Sequence, residues 1–278
     1  MLVRRHRSPS ANRRLGIVAV ALAGLLVSGC SLVSVGTPFA ELRPNASQAT
    51  PNESVAGPRP RAETTSRARR AALKPYTLDL YRPDDHVPQY DGSWCVGASM
   101  QMMINMIEPG RPDRTRATQQ RLYKYARKVS PWVETRPGAS VYGWSEGLEE
   151  LGHGPYEELA AGTRQAALKL AARQMRLTDK PVGLLVWAGA HAWVMSGFKA
   201  TADPKLTDDF TVTHVWIEDP WTGRVSSAYG PGLEPHTLLT AKELGADFLK
   251  YSSMYRPQYG RDGMFVVVAP LVETALPA

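Results

Sequence analysis

The stretch from Cys95 to Ile107 restricts this chain more than any other. Between Trp94 and a stop at Pro109-Gly110 it places Val96, Ala98, Met100, Met102, Met103, Ile104, Met106 and Ile107 around nearly the whole circumference of a helix. A surface helix carries one apolar stripe, whereas a helix apolar on all sides has to be enclosed. The rest of the domain must therefore supply walls for it. The methionines suit that task as adaptable core filler better than they suit a metal or cofactor box.

Candidates for those walls follow in order. Residues 115–129 alternate charge with Leu122, Tyr125 and Ala126 and read as an amphipathic surface helix. Residues 145–151 form a short helix closed by Gly152. Residues 163–177 carry a capping threonine and an apolar stripe at helical spacing. The pattern then changes. Residues 182–187, 192–198, 210–217 and 264–268 are short, rich in β-branched and aromatic residues, and separated by Gly, Pro and Asp clusters, as strands are. Helices first and strands afterwards predict an α+β domain with an antiparallel sheet rather than alternating βαβ units. The whole span 75–278 is long enough for one good core, and it contains no internal repeat.

Upstream the composition is different. Arg4, Arg5, Arg7, Arg13 and Arg14 form an acid-free leader, an apolar run follows from Leu15 to Val27, and Ser28-Gly29-Cys30 comes next. Basic, apolar and small-residue regions in that order make residues 1–29 a secretory signal. The run is shorter than the about 20 residues that span a bilayer. The site resembles the bacterial lipobox, which implies a diacylglyceryl thioether on Cys30 and a chain anchored at the extracytoplasmic face of the cell membrane. An ordinary signal peptide with a chance cysteine, or an uncleaved anchor, suits the same residues. Residues 30–74 are rich in Ala, Pro, Ser, Thr and Arg without apolar periodicity, and so read as a disordered tether. The formal charge of +7 sits in the leader and tether; beyond Lys74 there are 21 basic against 23 acidic residues. The domain is nearly neutral, so the basic balance is no argument for nucleic acid, and no nucleic-acid module, phosphate-binding glycine loop or zinc spacing is present.

The chain has only two cysteines. With Cys30 lipidated, Cys95 has no partner for an intramolecular disulfide, and a lone thiol in an exported protein calls for a reason. Its setting supplies one. A tight loop, Gln89-Tyr-Asp-Gly-Ser-Trp, feeds it into the start of a helix, where free backbone N–H groups and a partial positive charge favour a thiolate. His191, in Gly189-Ala-His-Ala-Trp, heads a strand and can act as base. Asp219, in Glu218-Asp-Pro-Trp, ends the next strand and can fix the imidazole tautomer. The Cys95 backbone N–H and the Gln89 side-chain amide are candidate donors to a tetrahedral oxyanion. Each residue also has a plainer use: a buried apolar cysteine, a satisfied core histidine, an aspartate initiating a turn, a solvated loop glutamine. His153, His214 and His236 are the other histidines considered, and Glu218 should point to the opposite face of its strand. Trp187, Trp193, Trp216 and Trp221 gather around the strands, either lining a cleft or packing in the core.

Gln89 six residues before Cys95, Ser93-Trp-Cys-Val-Gly-Ala-Ser99, Thr118-Gln-Gln120, Gly189-Ala-His191 and Asp219-Pro-Trp221 together resemble the papain-like cysteine peptidases, and within them the bacterial C39-like group. The resemblance covers roughly residues 75–270. It implies a papain-like fold in which the cysteine helix packs on a small antiparallel sheet, no cofactor or metal, and a peptide or protein substrate cleaved through an acyl-thioester. Cys95, His191, Asp219 and Gln89 are then nucleophile, base, orienter and oxyanion donor. This chain departs from the pattern at Val96, where Gly or Trp is usual, and in the spacing of 28 positions from His191 to Asp219, lengthened by a polar hairpin tip at 201–209. The group's leader-trimming members work inside the cell fused to transporters, so that activity is not implied. Acyl transfer on the same fold, amidase action on cell-wall peptides, and non-catalytic peptide binding are the alternatives.

Overall fold

The structure, a computed structural model, describes residues 74–130, 137–252 and 260–272. The expectations for the leader, for Cys30 and for the tether through residue 73 lie outside them.

Strand pairing organises these residues. Seven strands form one antiparallel sheet in the order β2-β9-β3-β4-β5-β8, with β1 also paired to β4. They are β1 (Tyr76–Asp79), β2 (Tyr156–Ala161), β3 (Val182–Val186), β4 (His191–Ala200), β5 (Val212–Glu218), β8 (Thr237–Thr240) and β9 (Phe265–Pro270). A small ribbon of β6 (Val225–Ser226) and β7 (Gly230–Pro231) stands apart. The long strand β4 is central: β3 pairs with its first half, β1 with its second, and β5 runs along the other edge.

Helices cover both faces. On one, α1 (Cys95–Ile107), α2 (Arg116–Val129) and α3 (Val141–Glu150) share a core with Ala192, Val194, Val266 and Val268. On the other, α4 (Arg164–Thr178) packs Ala167, Leu168, Ala171 and Met175 against Leu184, Met195, Phe198 and Val267. Alternate residues of β9 serve opposite cores, as the period of two in a strand requires. The enclosed helix expected from the sequence is α1: Met100, Met102, Met103 and Met106 are all buried, as are the polar Ser99, Gln101 and Asn105.

Local chemistry sets the helix ends. Thr115 accepts from the Thr118 N–H, Thr163 from the Ala166 N–H and Ser140 from the Gly143 N–H, each occupying an otherwise unpaired donor of the first turn. Two sequence expectations need correction. The third helix begins at Val141 rather than at residue 145, because Ser140 caps it. Strands do not wait for the helices to finish, since β1 precedes all of them and β2 lies between α3 and α4. The antiparallel sheet and the α+β class stand.

Candidate active site

Cys95 is the first residue of α1, following Trp94, and no acidic side chain lies in that first turn. The preceding turn is built by Asp91, whose Oδ1 accepts from the Ser93 N–H at 3.0 Å and from the Ser93 hydroxyl at 2.9 Å. Gln119 of α2 holds the loop from beneath: its Oε1 accepts from the Tyr90 N–H at 2.7 Å, and its Nε2 donates to the carbonyl of Pro88 at 3.2 Å. The two helices cross closely because position 97 is glycine. A Cβ there would stand 2.9 Å from both the Gln119 carbonyl oxygen and Tyr123 Cβ.

One turn into α1, the Ser99 hydroxyl donates to the Ala192 carbonyl at 3.2 Å. That bond fastens the cysteine helix to β4 at the residue after His191. A second fastening runs from the cysteine loop to the aspartate: the Gln89 N–H donates to the Pro220 carbonyl at 2.8 Å, and Arg224 Nη2 donates to the Gln89 carbonyl at 3.0 Å.

Between these fastenings lies a continuous polar series. His191, the first residue of β4, is buried; its Nε2 stands 2.8 Å from Asp219 Oδ1. Asp219 is fully buried, and its oxygens also accept from the Trp221 N–H at 2.7 Å and the Leu233 N–H at 2.9 Å. The Cys95 thiol is within hydrogen-bonding reach of the imidazole. Because Nε2 faces Asp219, Nδ1 is the nitrogen left for the thiol. Burial by itself would lower the His191 pKa, but the bonds to Asp219 and Cys95, together with their charges, outweigh it and raise the pKa to about 9. At neutral pH the ring is therefore an imidazolium beside the thiol.

Cys95 is partly buried and opens with His191 onto a cleft of about 140 Å³. Among the described residues the rest of the wall is Val96, Pro137, Gly138, Ala139, Leu185, Gly189, Ala190 and Ala192, uncharged and mostly small. None of the four candidate tryptophans lines it. Trp187 and Trp221 instead pack on His191 from outside the cleft, the first face to face at 4.3 Å and the second edge-on at 6.0 Å. Trp193 is core, and Trp216 stacks on His236.

The structure thus brings together Cys95, His191 and Asp219. Gln89 sits on the cysteine loop with part of its amide already engaged. Its side chain is buried, its Nε2 uses one hydrogen on the Asp91 carbonyl at 2.6 Å, and it is not among the residues lining the cleft. The other histidines are engaged elsewhere: His153 with Glu108, His214 with Thr213, His236 with Glu218 and Asp79. Glu218 diverges from Asp219, as the strand period requires. It is buried and accepts from the Ser196 hydroxyl at 2.8 Å and the His236 N–H at 2.9 Å, with His86 Nδ1 at 3.4 Å. Sequence reasoning singled out neither Ser99 as a fastening nor Asp247 and Tyr229, which contact Trp187. Only the Trp-Ala-Gly-Ala run before His191 offered a signal, as a segment suited to a tight turn.

Among the described residues no group of three or more His, Cys, Asp or Glu side chains is placed to hold a metal ion, and no helix is long and apolar enough to cross a membrane. In comparisons with known proteins, no family model matches the chain and no curated protein matches it.

Proposed function

We propose that this chain is an exported papain-like cysteine hydrolase, a C39-like peptidase that cleaves peptide or amide bonds through an acyl-thioester. The carrying observation is that Cys95 and His191 line one cleft while His191 Nε2 stands 2.8 Å from the buried Asp219 Oδ1.

In the proposed reaction Sγ of the Cys95 thiolate attacks the substrate carbonyl carbon, and the carbonyl oxygen takes the displaced electron pair. Backbone N–H groups at the start of α1, foremost that of Cys95, stabilise this oxyanion; the second amide hydrogen of Gln89 is the candidate for a further donor. The His191 imidazolium gives its proton to the departing amine as the C–N bond breaks, leaving a thioester on Cys95. Neutral His191 then takes a proton from water, the hydroxyl attacks the thioester carbon, and thiolate and imidazolium are restored together. Asp219 keeps Nδ1 directed at sulfur throughout both halves. Among the described residues the wall is made of small side chains, which leaves backbone groups within reach of an extended peptide and supports a peptide substrate. The site would be held at the outer membrane face by a lipid on Cys30.

Iodoacetamide labelling of the folded protein at pH 6 tests the central element. Modification of Cys95 well above the rate of a free thiol is expected, because an ordinary thiol near pKa 8.5 is almost wholly protonated there. A rate equal to that of a free thiol would rule the nucleophile out. On a peptide library, Cys95→Ala should abolish turnover, and His191→Ala should lower it about 10²–10⁴-fold. Products carrying an added amine instead of water would reassign the reaction as acyl transfer.

A further inference from the structure

We propose that Trp187 is a positioning residue for His191, locked in place by Asp247; this rests on the reading of Cys95 and His191 as nucleophile and base. The observation that points to it is a run of left-handed backbone directly before the histidine. Trp187 has φ 54°, Ala188 φ 53° and Gly189 φ 102°. Glycine adopts this conformation freely, but a bulky residue such as tryptophan does so only where its surroundings enforce it.

The enforcement is visible atom by atom. The Trp187 N–H donates to the Asp247 carbonyl at 2.8 Å, and its indole Nε1 donates to Asp247 Oδ1 at 2.8 Å, so one aspartate grips both ends of the residue. The Tyr229 hydroxyl donates to the Trp187 carbonyl at 3.3 Å, and the Tyr229 ring lies flat on the indole at 4.8 Å. Gly189 is confined by the Tyr251 ring, which a Cβ would approach to 2.6 Å.

What the strained turn secures is the orientation of the indole. Its opposite face lies on the His191 imidazole at 4.3 Å with 23° between the planes. A ring flip would exchange Nδ1 with a carbon and lose both the Asp219 and the Cys95 contacts; a flat, fixed neighbour blocks that motion. The indole face also favours an imidazolium and keeps water from the His191–Asp219 bond. Asp247 does not line the cleft; it holds Trp187 by hydrogen bonds, and its charge also faces His191 and Asp219.

The test is the iodoacetamide reactivity of Cys95 in the full-length protein from pH 5 to 9, read by mass spectrometry on the Cys95 peptide, with thermal midpoints measured in parallel. Trp187→Leu should lose at least tenfold of its rate at pH 6 while approaching wild type at pH 9. Trp187→Phe, which keeps a ring face but not the Asp247 bond, should recover part of the loss. A merely structural tryptophan would lower the midpoint and leave the pH profile of the folded fraction in place, and that result overturns the proposal. Should Trp187→Leu fail to fold, Asp247→Ala is compared with Asp247→Asn, which removes the charge but keeps an acceptor for the indole; a loss at pH 6 in Asp247→Ala alone supports the proposal, and matching profiles overturn it. A wild-type protein that reacts like a free thiol sinks the nucleophile reading and this proposal with it. An activated wild type with unaltered variants sinks the positioning role alone.

Discussion

His191 couples the stability of the protein to pH in a direction that can be measured. Its folded pKa of about 9 lies above the ordinary value of 6.5, so the folded state holds the proton more tightly than the unfolded one. The resulting stabilisation is complete below pH 6.5 and is lost as pH rises through about 9. Thermal midpoints taken from pH 6 to 10 should fall over that window in the wild type and fall less in His191→Gln. The choice of Asp219 over Glu218 was open to sequence reasoning, because neighbouring residues at a strand end diverge. The direction of the Gln89 amide was not, since it depends on the turn geometry that puts the Asp91 carbonyl within its reach. Nor was Asp247, which sits 60 residues beyond the tryptophan it grips.

Helix crossings explain two small residues of the cysteine motif. Gly97 lies where α1 meets the backbone of α2, and Ser99 supplies the bond to β4. Gly97→Ala should cost about 1–3 kcal/mol by denaturant unfolding, since the Gln119 carbonyl it would strike belongs to a helix and cannot swing aside. Helices α2 and α4 were legible because Thr115 and Thr163 advertise their caps. Strand β2 was not: Glu157, Glu158 and two alanines have poor strand preference, and its conformation comes from pairing with β9, more than a hundred residues away. The early start of α3 was hidden by Gly143, which reads as a breaker. A Cβ there would fall on the Ala126 carbonyl, so the glycine is a packing requirement between α2 and α3.

At the scale of the whole molecule, sequence segments nearly a hundred residues apart converge at the site, and the composition already separated a nearly neutral domain from the basic residues 1–74. If Cys30 carries the lipid, the wild type expressed in a bacterial host should partition into the detergent phase on Triton X-114 separation, and Cys30→Ala should move to the aqueous phase with Cys95 reactivity unchanged. Equal partitioning of the two would remove the anchor from the proposal.

The Ser99–Ala192 bond has a consequence for how such a molecule can be governed. On the proposed reading nucleophile and base belong to one domain and are tied by this bond, so no domain rotation is available to pull them apart. On that reading a plug in the cleft mouth could idle the site while Cys95, His191 and Asp219 stay assembled beneath it.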